Sequence, residues 1–206
     1  MAETVQIDPD SPAPELIAEA VRVLRAKGVI IYPTETLYGL GANPLFPEAM
    51  ERIYVIKGRA AAKPIPFLIK DEEMLASLVE AVPPVGRELI KRYWPGALTL
   101  IFRAKKGLAP PLRSKNGTIA LRISSSPVAR RIVEALDVPL TSTSANIAGE
   151  ADLLDGGKMA QLFGSQVDLI IDAGKVPGIG STVIDLTVAP PRIVRQGIIK
   201  VPLDEL

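Results

Sequence analysis

The sequence predicts an α/β fold: a single domain on a twisted mixed β-sheet flanked by helices. Short β-branched runs alternate with amphipathic segments of helical period along the whole chain. The last strands follow one another too closely for helical crossovers, so some of them must pair antiparallel. No repeat, low-complexity tract or Ser/Gly-rich linker divides the 206 residues, so one domain over 1–206 is expected.

A first helix follows Pro12-Ala13-Pro14. Leu16, Ile17, Ala20, Val21 and Leu24 recur at three- and four-residue spacing, with Glu15, Glu19, Arg22 and Arg25 between them, and Gly28 ends it. Val29 to Tyr32, bounded by Gly and Pro, reads as a buried strand. Thr34 to Asn43 holds Gly39, Gly41 and Asn43 and reads as a loop. Pro47 takes a first helical position in a helix that ends at Lys57-Gly58. Pro66 to Lys70 reads as a strand, and Asp71 caps a short helix that has Glu72 and Glu73 in its first turn. A helix is expected around Val85 to Arg92, then strands at Ala97 to Arg103 and Thr118 to Ile123. The serines before Pro127 open a helix over Val128 to Leu136. Strands at Val138 to Ser142, Val167 to Asp172, Thr182 to Leu186 and Arg192 to Arg195 complete the pass.

Composition limits the chemistry. Apolar residues make up 48% of the chain, and 24 basic side chains nearly balance 23 acidic ones, which argues against wholesale attraction to nucleic acid or a membrane surface. With no Cys, disulfides, thiolate catalysis and zinc-thiolate sites are excluded. With no His, imidazole bases and Ser-His-Asp triads are excluded too. The N-terminus has an early acid, Glu3, and no apolar core. The longest apolar runs fall far short of the roughly 20 residues of a membrane span, so a cytoplasmic protein is expected.

Four segments offer chemistry. Pro33 to Ala42 leaves the end of a buried strand, where open α/β sheets bind ligands, and carries two hydroxyls, a carboxylate, a phenol and glycines; an ordinary turn would use the same residues on local amides. Lys57, Arg59 and Lys63 put three cations in seven residues with no acid among them, which suits a polyanion clamp or a solvated surface. Leu140 to Asn146 closes a strand with hydroxyls and an amide, as a ligand loop or a capped turn would. Gly178 to Thr182 can form an anion nest, but it lacks the Lys of a Walker loop. Arg122 and Arg195 end apolar strands, where they face either a cleft holding anions or an internal partner such as Asp172 or Asp185.

Taken in order, Pro33-Thr34-Glu35-Thr36-x-Tyr38-Gly39-Leu40-Gly41, Lys57-x-Arg59 with Lys63-Pro64, Ser144-x-Asn146, Gly180-Ser181-Thr182-Val183 and Arg195 resemble the YrdC-like family of threonylcarbamoyl-AMP synthases. The likeness runs from about Ala13 to Ile199. It implies one α/β domain around a twisted sheet with a concave basic cavity, in the single-domain form without the extra C-terminal domain of some relatives. It implies that L-threonine, bicarbonate or CO2, and ATP with Mg2+ give threonylcarbamoyl-AMP and pyrophosphate. Partner proteins then pass the threonylcarbamoyl group to tRNA.

By the same resemblance, Lys57 and Arg59 are the catalytic cations. Arg59, Lys63, Thr118, Ser144, Asn146 and Arg195 serve ATP. Thr36, Arg122, Ser142 and Ser181 form the threonine pocket, with Tyr38 lining the cavity between. No residue is implied as a metal ligand. Two departures stand out. Where some relatives carry a His after the Lys-x-Arg segment, this chain has Phe67-Leu68-Ile69. Where some carry a Ser- or Pro-rich stretch, it has Glu150 to Asp155 with three acids.

The main alternative is an RNA-binding module that uses the basic surface. Four Phe, four Tyr and one Trp, not interleaved with basic residues, leave few stacking platforms for it. A third reading is a regulator that senses ATP or an amino acid.

Overall fold

The computed structural model describes residues 1–58, 65–146 and 156–203. Its elements run β1 (Glu3–Gln6), α1 (Pro14–Arg25), β2 (Val29–Tyr32), β3 (Gly39–Ala42), α2 (Pro47–Ile56), β4 (Phe67–Leu68), α3 (Glu72–Leu78), α4 (Pro84–Tyr93) and β5 (Leu98–Arg103). They continue with β6 (Thr118–Arg122), α5 (Pro127–Leu136), β7 (Leu140–Thr141), β8 (Thr143–Ser144), α6 (Gly156–Phe163), β9 (Leu169–Asp172), β10 (Thr182–Asp185) and β11 (Arg192–Arg195). Among these residues no helix is long and apolar enough to cross a membrane.

The strands share mixed pairing between two sheets, ordered β1-β9-β2-β3-β8 and β11-β10-β5-β6-β4-β7. In the first, β9 runs parallel to both β1 and β2, while β3 is antiparallel to β2 and β8. In the second, β10 is parallel to β5 but antiparallel to β11.

The two-residue period of β2 sorts its side chains between two cores. Val29 and Ile31 join the large cluster that includes Leu100, Phe102 and Leu121 of the second sheet, while Ile30 and Tyr32 face the cluster beneath α1 and α5. Those two helices bury their apolar stripes in that second cluster, Ile17, Val21 and Leu24 from α1 with Val128, Ile132 and Leu136 from α5. The Ser126 hydroxyl caps α5 by accepting from the Ala129 amide, and Asp137 takes the left-handed conformation (φ 61°) that stops it. Asp71 likewise caps α3, accepting from the Met74 amide at 2.8 Å.

The structure departs from the expected elements at four points. The loop expected over Thr34 to Asn43 contains strand β3. Its glycines permit close packing rather than a turn: a Cβ on Gly39 would lie 3.0 Å from the Tyr32 ring, and one on Gly41 2.9 Å from both Tyr32 and Ile30. The strand expected over Val138 to Ser142 shortens to β7, because the chain crosses at Ser142 to the other sheet, where it forms β8. The strand at Pro66 to Lys70 shortens to β4. Finally, β1 and α6 were not foreseen: β1 is mostly exposed and owes its form to the β9 edge, and α6 is anchored by Met159 and Phe163.

Candidate functional site

The crossing at Ser142 is where the two sheets part, and Thr141 joins them just before it. Its hydroxyl accepts from the Ala42 amide and donates to the Leu40 carbonyl, both at 2.8 Å, while its own carbonyl accepts the Tyr32 phenol at 2.9 Å. Tyr32 is fully buried, and that burial raises its phenol pKa against a smaller opposing effect from Ser142. Beyond this junction a cavity of about 320 Å³ opens between strand ends of both sheets.

One wall is the loop after β2. The Thr34 hydroxyl accepts from the Thr36 and Leu37 amides, both at 3.2 Å, and donates to the Leu37 carbonyl, which folds the segment back on itself. Thr36 is thereby aimed at Arg122, whose Nη1 donates to its hydroxyl at 3.2 Å. Arg122 is only 4% exposed and ends β6. Its ion-pair partner is Glu35, with Nη1 and Oε1 3.4 Å apart, rather than the expected Asp172 or Asp185. Asp172 serves Gln6, Tyr38 and the Gly174 amide; Asp185 caps Thr187 and lies 3.9 Å from Arg192.

The opposite wall comes from the start of β10 and the end of β11. The Ser181 hydroxyl lies 2.8 Å from that of Thr99 on β5 and accepts from Arg195 Nη2 at 3.1 Å. Arg195 further donates to the Ser181 carbonyl through Nε and Nη2. The anion nest expected over Gly178 to Thr182 has two of its amides committed elsewhere, Gly178 to the Thr36 carbonyl and Thr182 to that of Ala97.

Thr36, Tyr38, Arg122 and Ser142, together with Ser144, Ser181 and Arg195, therefore line one cavity. The Tyr38 phenol is turned toward β9, where it donates to the Gly174 carbonyl at 2.7 Å and accepts from the Ala173 amide. Lys57 and Asn146 meet at the Ser144 side of this cavity. Lys57 is 1% exposed, and its ammonium donates to the Ser144 and Asn146 carbonyls and to the Asn146 side-chain oxygen. Thr118 lines a neighbouring cavity of about 930 Å³ instead, its hydroxyl 2.8 Å from that of Ser114; Phe67 and Ala120 border both cavities. Arg59, Lys63 and the acids of Glu150 to Asp155 lie outside the described residues.

Four lining or supporting residues escaped the sequence reading. Arg113 and Lys115 bring cations to the larger cavity, and the charged triplet Arg113-Ser114-Lys115 was a visible signal for them. Thr99 falls inside the strand expected over Ala97 to Arg103 and carried no role there. Glu35 stood inside a singled-out motif but received no role.

Fold and cavity together define an α/β protein with a metabolite-sized cavity where two mixed sheets part, an arginine lying among hydroxyls in its lining. The chain belongs to the Sua5/YciO/YrdC family, whose description reads telomere recombination and which matches residues 22–197. It is 36% identical over 188 residues to the threonylcarbamoyl-AMP synthase of Pyrococcus abyssi, covering 91% of this chain and 55% of that protein. It thus spans about half the length of that relative. The crystal structure of Pyrococcus abyssi Sua5 complexed with L-threonine superposes with a TM-score of 0.90 at 33% identity, over 95% of this chain and 58% of that one. Escherichia coli YciO, whose name states no activity, superposes with a TM-score of 0.92 at 35% identity, over 98% and 99% of the two chains.

Proposed function

We propose that the protein is an L-threonylcarbamoyladenylate synthase, a nucleotidyltransferase working as one domain over 1–206. The observation that carries this reading is the 320 Å³ cavity, of amino-acid size, in which Arg122 faces Thr36, Ser142 and Ser181. Among the described residues only Nη1 of Arg122 has a protein partner, so the rest of its fork is available to an amino-acid carboxylate. The paired hydroxyls of Thr99 and Ser181 suit the threonine hydroxyl. A cavity this small favours a metabolite over an RNA backbone.

ATP takes the adjoining larger cavity, which Thr118 lines, and is reached by Arg195 and Ser144 from the smaller one. Arg59 and Lys63 hold its phosphates. Lys57 acts through the Ser144–Asn146 segment that its ammonium organises. The neutral threonine amine, an α-amino group of pKa about 8, attacks carbon dioxide derived from bicarbonate and gives up a proton, so no imidazole is needed. A carbamate oxygen then attacks the α-phosphorus, and pyrophosphate leaves with its charge spread over Lys and Arg donors. Among the described residues no three acids gather to hold a metal, so Mg2+ would arrive on the ATP phosphates and stabilise their charge there. Other cytoplasmic proteins pass the product to tRNA. Serine would be rejected by the missing methyl, worth about 1–3 kcal/mol, and valine more steeply, through an unpaired hydroxyl partner.

The test is mass spectrometry of the pure protein with ATP, Mg2+, bicarbonate and threonine, alongside pyrophosphate release. Threonylcarbamoyl-AMP formed only when threonine and bicarbonate are both present is the expected result. ATP turnover indifferent to threonine rejects the proposal.

A further inference from the structure

We infer that Glu35 is the positioning residue that holds the Arg122 guanidinium in the cavity with its binding edge open. This deepens the preceding reading and rests on it for the identity of the carboxylate that Arg122 receives.

A guanidinium as buried as that of Arg122 needs a counter-charge, since an unpaired one costs several kcal/mol. Glu35 is the acid within ion-pair distance of it among the described residues. The cavity is lined by Thr36 and Arg122 and not by Glu35, whose carboxylate meets Arg122. Its own carboxylate is anchored on the far side. Oε2 accepts from the Ser124 hydroxyl, and the same Ser124 oxygen accepts the Ser126 amide at 3.2 Å, at the capped start of α5. The charge therefore sits on a framework fixed by a helix terminus, not on a mobile loop tip.

The geometry of the pair also matters. A carboxylate in a two-bond fork would consume an edge of the guanidinium and compete with an incoming carboxylate. Here Oε1 is buried yet takes no hydrogen bond; its nearest cation, Nη1, is 3.4 Å away and donates instead to Thr36. Glu35 thus supplies charge while Thr36 supplies the directional bond. Adjacent residues of one loop hold a single nitrogen of Arg122, and among the described residues its other side-chain donors take no hydrogen bond.

The test compares wild type with Glu35→Gln, which keeps shape and the acceptor for Ser124 but removes the charge, and with Glu35→Asp. In pyrophosphate-release kinetics, Glu35→Gln is expected to raise the threonine KM about tenfold or more, with the ATP KM and kcat within about twofold and Glu35→Asp between the two. Crystal structures provide the second readout: in Glu35→Gln the Arg122 Nη1 should leave hydrogen-bond reach of Thr36. An unchanged or lowered threonine KM, or an Arg122 that stays in place, overturns the inference. A wild type without threonine-dependent turnover would sink the synthase reading instead, and the Arg122 position would still decide the role of Glu35.

Discussion

The Lys57 ammonium donates to the Ser144 carbonyl at 2.7 Å and the Asn146 carbonyl at 2.6 Å, so a cation from the end of α2 holds a strand end some ninety residues away. Lys57→Ala removes a buried charge and takes a donor from three acceptors; the Ser144 carbonyl keeps the Asn146 amide, and the Asn146 side-chain oxygen keeps the Ser144 hydroxyl. The substitution should destabilise the protein by about 2–4 kcal/mol and abolish most turnover. Lys57→Arg should not restore activity, because a planar fork does not fit the site of a compact ammonium. Thermal melts beside pyrophosphate-release assays check both effects; full stability in Lys57→Ala would contradict the structural role.

Arg122→Ala should raise the threonine KM at least tenfold more than the ATP KM, since its open donors face the smaller cavity while Thr118 marks the larger one. Steady-state kinetics with each substrate varied in turn measures the ratio. Equal losses for both substrates would show that the two cavities do not divide the ligands.

Thr99→Val keeps the shape of a buried side chain but removes the hydroxyl that meets Ser181. Because Ser181 retains Arg195, the fold should survive with a modest loss of stability, about 1 kcal/mol. Discrimination between threonine and valine should narrow by about tenfold. Competition between the two amino acids, read by mass spectrometry of the adenylates, provides the measurement.

Gly41→Ala places a methyl 2.9 Å from Ile30 and from the Tyr32 ring, directly across the β2–β3 ladder. Overpacking there should cost about 1–3 kcal/mol in urea denaturation. A neutral result would show that β2 and β3 can separate freely.

The Tyr32 phenol has its pKa raised by burial from the ordinary 10.0. Below pH 10 the folded and unfolded states are both protonated there, and the phenol adds no pH dependence. Above it the unfolded chain ionises first, so stability falls as pH rises toward the folded-state value. Urea unfolding between pH 9 and 12 should show this alkaline loss in wild type and less of it in Tyr32→Phe.

The helices were legible in the sequence because their signals are local. Pro14, Pro47 and Pro127 mark first turns, Asp71 and Ser126 cap, and the apolar stripes of α1 and α5 repeat at helical spacing. Strands β2, β5, β6 and β11 were legible for the same reason. So were the segments that meet at the cavity, since each had gathered hydroxyls or cations at a strand end. Gly39 and Gly41 misled, because a glycine needed for a turn and one needed beneath an aromatic ring look alike until the facing strand is known.

What only the tertiary structure decided is which groups pair. The sequence could place Glu35 in a loop and Arg122 on a strand, yet not join them: the contact bridges two sheets, and Ser124 had to be brought beside Glu35 by the path into α5. Nor could it turn Lys57 inward to Ser144 and Asn146. Periodicity and capping depend on neighbours within a few residues, whereas a buried charge takes its partner from whatever the packing of distant strands sets against it.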